Sequence, residues 1–112
     1  MDMSAFCIVQ TTIDDELRAE EIADALTERK LAACVQIAPV TSNYIWKGAP
    51  TMEKEFLISA KARQKDFSAL AAAIRELHSY ELPEIIALPI LIDDDAYLEW
   101  ALRATEREEG SR

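Results

Sequence analysis

Residues 41–62 read Thr41-Ser42-Asn43-Tyr44-Ile45-Trp46-Lys47-Gly48-Ala49-Pro50-Thr51-Met52-Glu53-Lys54-Glu55-Phe56-Leu57-Ile58-Ser59-Ala60-Lys61-Ala62. In the first part Tyr44 and Trp46 share one strand face and Ile45 takes the other, because side chains alternate along a strand. Lys47-Gly48-Ala49-Pro50 is turn chemistry. Residues 52–62 then alternate: Lys54, Phe56, Ile58 and Ala60 on one face, Glu53, Glu55, Leu57, Ser59 and Lys61 on the other. Two such strands around one turn predict a long, bent hairpin.

Upstream, residues 31–37 form an apolar run with strand character that meets Pro39. Proline cannot donate to a sheet ladder, so this strand is expected at an edge, or to break there. Before it, Ala19, Ile22, Ala23 and Leu26 recur at helical spacing, with Glu20, Glu21, Asp24 and Glu28 pointing away. Thr12-Ile13-Asp14-Asp15-Glu16 supplies capping groups and acids at the start of that helix, and Arg29 and Lys30 close it at its negative end. Ala5-Phe6-Cys7-Ile8-Val9-Gln10-Thr11 is an almost continuous apolar run, expected for a central strand.

Downstream, residues 66–77 place Phe67, Leu70, Ile74 and Leu77 on one helical face. The stretch from Tyr80 to Pro83 breaks that helix, and residues 85–92 form a fourth strand whose Pro89 suggests another edge. Asp93-Asp94-Asp95 caps a last helix carrying Tyr97, Trp100, Ala101 and Ala104. The charged tail after Glu106 is expected to fray.

The predicted order is β-α-β-β-α-β with a C-terminal helix, the split βαβ or ferredoxin-like α+β pattern, in which an antiparallel sheet carries its helices on one face. At 112 residues, half of them apolar, residues 1–112 make one domain with one core. Two helices cover only one side of the sheet. Either sister subunits bury the other side in a homo-oligomer, or it faces water, as antiparallel sheets tolerate.

The chain has 12 basic and 21 acidic residues, a net charge of −9, and no cluster of Lys or Arg. Phosphate backbones and anionic membrane surfaces need such a cluster, so neither nucleic acid nor membrane is an expected partner. No apolar stretch approaches the roughly 20 residues that span a bilayer. Met1-Asp2-Met3-Ser4 has no basic region of the secretory kind. Cys7 and Cys34 lie in apolar runs and read as reduced, buried thiols of a cytoplasmic protein.

Catalytic chemistry finds little to work with. There are two glycines, so no phosphate-binding loop and no organic cofactor are expected, and there is one histidine. Cys34 and His78 as a thiolate–imidazole pair stand against Cys34 as inert packing; no enzyme is expected. The concentrated chemistry is His78-Ser79-Tyr80-Glu81-Leu82-Pro83-Glu84, where one imidazole has Glu76 before it and Glu81 and Glu84 after it. Imidazole with carboxylate suits Cu(II), Ni(II) or Zn(II). The plainer reading is a set of solvated loop charges and a histidine favourably placed at a helix C-terminus. Tyr44 and Trp46 either pack at an interface or, with Tyr80, Glu55 and Lys61, line a small-molecule pocket.

Several segments together carry a family resemblance. They are Lys30-Leu31-Ala32-Ala33-Cys34-Val35, Ser42-Asn43-Tyr44-Ile45-Trp46-Lys47-Gly48, Glu55 with Lys61, His78-Ser79-Tyr80-Glu81-Leu82-Pro83-Glu84-Ile85, Leu88-Pro89-Ile90 and Tyr97-Leu98-Glu99-Trp100. In order and spacing the chain resembles the CutA family of divalent-cation tolerance proteins from Thr11 to Trp100. The resemblance implies a homotrimer, similar in architecture to the PII signalling proteins, with sheets facing the interior and hairpins extending pairing between subunits. It implies a role in tolerance of copper and other divalent metals without established catalysis. Carried over residue by residue, it makes Cys34 a soft ligand beside His78, Glu81 and Glu84. By analogy with PII proteins, Tyr44, Trp46, Glu55, Lys61 and Tyr80 would line a cleft between subunits. Ser79 stands where the family pattern His-Pro-Tyr-Glu has proline.

Overall fold

The computed structural model describes residues 5–107. Strand β1 spans Phe6–Ile13, helix α1 Glu16–Glu28, β2 Cys34–Trp46, β3 Ala49–Arg63, helix α2 Phe67–Leu77, β4 Ile86–Ile90 and helix α3 Asp95–Ala104, with a single 3-10 turn at Gln64–Asp66. The four strands form one antiparallel sheet in the order β2-β3-β1-β4. This is the ferredoxin-like arrangement, with β2 and β4, which carry Pro39 and Pro89, at the edges.

The helices start where side chains can serve their free N–H groups. Asp15 Oδ1 accepts from the N–H of Leu17 and of Arg18, and Asp94 Oδ1 does the same for Ala96 and Tyr97. The core lies between one sheet face and the helices α1 and α2. Val9, Ile13, Ile22, Leu26, Ile58, Leu70 and Ile74 are essentially solvent-free there. Arg63 ties α3 to the end of β3, donating from Nε to Thr105 Oγ1 at 2.8 Å and from its guanidinium to the Leu102 carbonyl.

The second strand departs from expectation at both ends. It begins at Cys34, and Leu31 and Ala32, 8 and 2% exposed, sink into the core as a loop. Lys30 takes a left-handed backbone (φ 57°), and the N–H groups of Leu31 and Ala32 turn back to the Leu26 carbonyl, a left-handed helix ending. Pro39 does not break the strand: β2 runs through it, with Pro39 opposite Phe56. An edge strand has one ladder side free, so a missing N–H costs nothing there. Pro89 lies inside β4 on the other edge for the same reason. The hairpin turn is tighter than the four residues anticipated. Trp46 pairs with Ala49, leaving Lys47 (φ 51°) and Gly48 (φ 79°) as the two turn residues.

Of the tail expected to fray, residues 108–112 lie outside the described residues, as does Met1-Asp2-Met3-Ser4. Arg107 is anchored. Its guanidinium meets both oxygens of Asp66 at 2.9 and 3.2 Å and donates to the Lys30 carbonyl at 2.8 Å. Asp66 is 6% exposed, so this paired carboxylate fastens the segment just after α3 to the helix layer. No described helix is long and apolar enough to cross a membrane.

Candidate functional site

Helix α2 ends at His78, whose extended backbone (φ −77°, ψ 146°) turns the chain toward the end of β1. There the ring is held from both sides. Nε2 lies 2.8 Å from the Thr12 carbonyl oxygen, and the Tyr80 N–H donates to Nδ1 at 3.0 Å. A carbonyl can only accept, so Nε2 carries the hydrogen and Nδ1 offers its lone pair. The two rings pack with centroids 4.7 Å apart. The Tyr80 hydroxyl in turn donates a hydrogen bond to Glu55 Oε2 at 2.7 Å. One chain of contacts thus joins β1, the loop 78–85 and β3. The amide–imidazole bond supplies some of the local restraint that a proline at Ser79 would have given.

Glu55 is only 5% exposed, although its alternation places it on the sheet face away from the helices. Beside it, Tyr44 donates to Glu53 Oε1 at 2.6 Å. Both phenols resist ionisation. Tyr44 is pushed up to about 12, chiefly by this hydrogen bond, and Tyr80 is raised further, first by burial and then by Glu55. These groups wall a cleft of about 630 Å³ at the foot of the hairpin, with Trp46 on one side and Glu81 and Glu84 on the loop opposite. No Lys, Arg or His side chain lines it among the described residues. A larger open groove of about 1160 Å³ runs over α1 and α2, but there Arg29 is matched to Glu76 at 3.2 Å.

The structure brings Tyr44, Trp46, Glu55, Tyr80, Glu81 and Glu84 to this one cleft. Lys61 does not line it. It lies six residues along β3 from Glu55, about 20 Å at the usual strand rise. Cys34 pairs with Lys61 in register, whereas the Thr12 carbonyl that holds His78 belongs with Leu57. Four strand residues, about 13 Å, separate those two positions. His78, Cys34, Glu81 and Glu84 therefore do not converge in this chain, and among the described residues no three His, Cys, Asp or Glu side chains are grouped to hold a metal ion. The same distance parts Cys34 from His78 as a catalytic pair. Cys7 is a poor nucleophile, its thiol pushed up by burial and then by the charge of Asp66.

Glu53 escaped the sequence reading as a site residue. It shares the face of Glu55, and the register sets it opposite Ser42, one face position from Tyr44. Period-two alternation across a two-residue turn carries that signal. The Tyr80–Glu55 contact, 25 residues apart, carries none.

The fold and cleft define a ferredoxin-like α+β protein with an acidic, aromatic hollow where a long hairpin meets the loop after its second helix. The family model described as CutA1 divalent ion tolerance protein matches residues 7–104. The chain belongs to this family. It is 42% identical over 94 residues to the divalent-cation tolerance protein CutA of Thermus thermophilus, covering 83% of this chain and 91% of that one. It is 43% identical over 90 residues to a CutA homolog of Xenopus laevis and 41% over 96 residues to the human protein CutA, covering 80 and 85% of this chain. It spans only 60 and 54% of the length of those two relatives. Among solved structures, CutA1 from Oryza sativa superposes with a TM-score of 0.88 at 33% identity over 93% of this chain and 96% of that one. A CutA from Archaeoglobus fulgidus described as periplasmic gives 0.87 at 34% identity, covering 90 and 99%.

Proposed function

We propose that this protein acts in divalent-cation tolerance as a non-enzymatic homotrimer, and that the acidic cleft is its cation-facing surface. The observation that carries the proposal is the cleft lining: four carboxylates, Glu53, Glu55, Glu81 and Glu84, with no opposing basic side chain among the described residues. Copper or another divalent cation is taken weakly, by one or two carboxylates with water completing the shell, since no three ligands converge in one subunit. His78 sets the loop rather than supplying a ligand, because both ring nitrogens are already engaged. Calorimetric titration with Cu(II) tests this. Glu81→Gln with Glu84→Gln weakens binding more than His78→Ala, whose effect is confined to loosening the loop that carries them. Binding lost in His78→Ala and kept in the Glu81/Glu84 variant would make His78 the ligand and sink the carboxylate reading.

The trimer is supported by what lies bare in one subunit. In β4, Ile86 and Leu88 are about half exposed, and Leu91 beyond it is fully exposed. Tyr97 and Trp100 on α3 and Ile45 and Met52 on the hairpin add to this apolar surface, of a kind that marks an interface. A mass near three times the 12.6 kDa chain is the expected measurement. Free Cys7 and Cys34 fit a reducing, cytoplasmic setting.

A second reading has its own support. Tyr44, Trp46 and Tyr80 give the cleft aromatic walls that a bare ion does not need, which suits a PII-like effector pocket.

A further inference from the structure

We infer that His78 is an acid-operated latch: with Nδ1 bare its ring pins the loop 78–85 to the end of β1, and a proton taken at Nδ1 releases that loop at Tyr80. The latch works whether or not the cleft takes a cation. Its ring bridges two backbone groups of opposite kind. The Thr12 carbonyl, 2.8 Å from Nε2, only accepts, and the Tyr80 N–H, 3.0 Å from Nδ1, only donates. One form serves both, the neutral ring with its hydrogen on Nε2. The imidazolium carries N–H on both nitrogens. It keeps the Thr12 contact but sets two donors face to face at Nδ1, so the Tyr80 amide must leave.

The loop has little else to hold it. His78 ends α2 with its own N–H on the Ile74 carbonyl, so the ring's grip on Tyr80 decides where the chain goes next. Tyr80 brings its ring against the imidazole and its hydroxyl to Glu55. Beyond it Glu81, Leu82 and Glu84 are exposed and outside any helix or strand, and Ile85 packs against the core at the far end. A segment with so few contacts of its own opens when its first residues let go.

The charges around this corner are mostly carboxylates. Asp14 just past β1 and Glu53 and Glu55 on β3 all act on Tyr80, and Glu81 and Glu84 stand on the loop. The last turn of α2 carries Arg75 and Glu76, the latter matched to Arg29 of α1. A ring charged and freed from the Tyr80 amide has these carboxylates as acceptors, whereas the closed loop offers Nδ1 only an N–H. Ordinary carboxylates stay ionised above about pH 5, and histidine is the side chain that changes charge between about pH 5 and 8. The closed loop has no place for a proton at Nδ1 and the open loop takes one. Acid therefore favours opening, by up to tenfold per pH unit below about pH 6.5, where a free imidazole is charged.

His78 is the only histidine of the chain, so nitrogen NMR of its imidazole in the intact protein reads the latch without overlap. The titration runs from about pH 8 to about pH 5. The neutral form with hydrogen on Nε2 is expected at the start. As the ring charges, protection of the Tyr80 amide, corrected for the slower chemistry of exchange in acid, should fall by up to tenfold per pH unit. His78→Asn separates the latch from its surroundings. Its side-chain oxygen accepts from the amide two residues on, as asparagine does in turns, and takes up no proton in this range, so Tyr80 should stay protected throughout. His78→Ala should leave Tyr80 unprotected at both ends of the range, with circular dichroism confirming that both variants fold. Hydrogen on Nδ1 at the start, a ring that stays neutral to the end, or a ring that charges while Tyr80 stays protected overturns the inference. So does an acid step kept in His78→Asn, which would assign the step to the carboxylates.

Discussion

The Tyr80 hydroxyl donates a hydrogen bond to a carboxylate that water barely reaches, and much follows from that one bond. Tyr80→Phe leaves Glu55 buried without its donor, which should cost about 1.5–3 kcal/mol in urea unfolding at neutral pH. The pH dependence has a definite sign. The fold moves the ionisation of Tyr80 to higher pH, so its contribution is complete below about pH 10, where an unfolded tyrosine ionises, and is lost as pH rises beyond. The wild type should therefore lose stability above that pH, and Tyr80→Phe should lose it less steeply. A parallel alkaline decline in both proteins would contradict the assignment. Thr11 makes the opposite case. It is 0% exposed and its hydroxyl has no partner among the described residues, so Thr11→Val should raise stability by about 1 kcal/mol. At this scale the sequence discloses which side chains share a strand face, as with Tyr44 and Trp46. It does not disclose Tyr80 meeting Glu55 or His78 meeting Thr12, because those contacts depend on the path of the loop 78–85 past the end of β1.

The β2–β3 hairpin shows which features of an element are local. Its alternation and the place of its turn are written in neighbouring residues, although the turn closes over two residues rather than four. Its continuity through Pro39 is not written there, because a proline stops a central strand and leaves an edge strand intact, and edge position is settled by the whole sheet. Leu31 and Ala32 misled for a similar reason. An apolar pair can enter a strand or a buried loop, and the left-handed backbone at Lys30 chooses the loop. The hairpin turn yields the test at this scale. Positive φ at both Lys47 and Gly48 marks the mirror-image turn that suits strand twist. Nothing lies within 4 Å of a Cβ added at Gly48, so Gly48→Ala meets no clash and its cost is conformational, about 1 kcal/mol in chemical denaturation. Lys47→Asn should move the other way by a few tenths, since asparagine tolerates the left-handed region better than lysine.

The molecule as a whole is longer than its size requires. A compact chain of this length has a radius of gyration near 13 Å, whereas this one measures 14.8 Å with a longest extent of 45 Å. The excess comes from the hairpin: β3 alone has 15 residues, enough to run most of that length. A protruding hairpin exposes Ile45 and Met52 at 66 and 60%, a cost that a subunit alone would not recover. Partner subunits recover it if they cover the hairpin, β4 and α3 together. Leu88 lies in the middle of β4 on the sheet edge and is 46% exposed, so Leu88→Glu should leave the subunit's own core intact while placing a charge in the contact. Light scattering should then show the mass falling from about 38 kDa toward 12.6 kDa. Thermal unfolding supplies the second reading. The midpoint of an assembled protein rises with protein concentration, because association adds stability by mass action, and that of an isolated subunit does not. The wild type should show the rise and Leu88→Glu should lose it. Added salt should strengthen the wild-type assembly, since each subunit carries a net charge of −9 into it. A wild type whose mass and midpoint are both those of a monomer would return the exposed face to solvent and remove the trimer from this account.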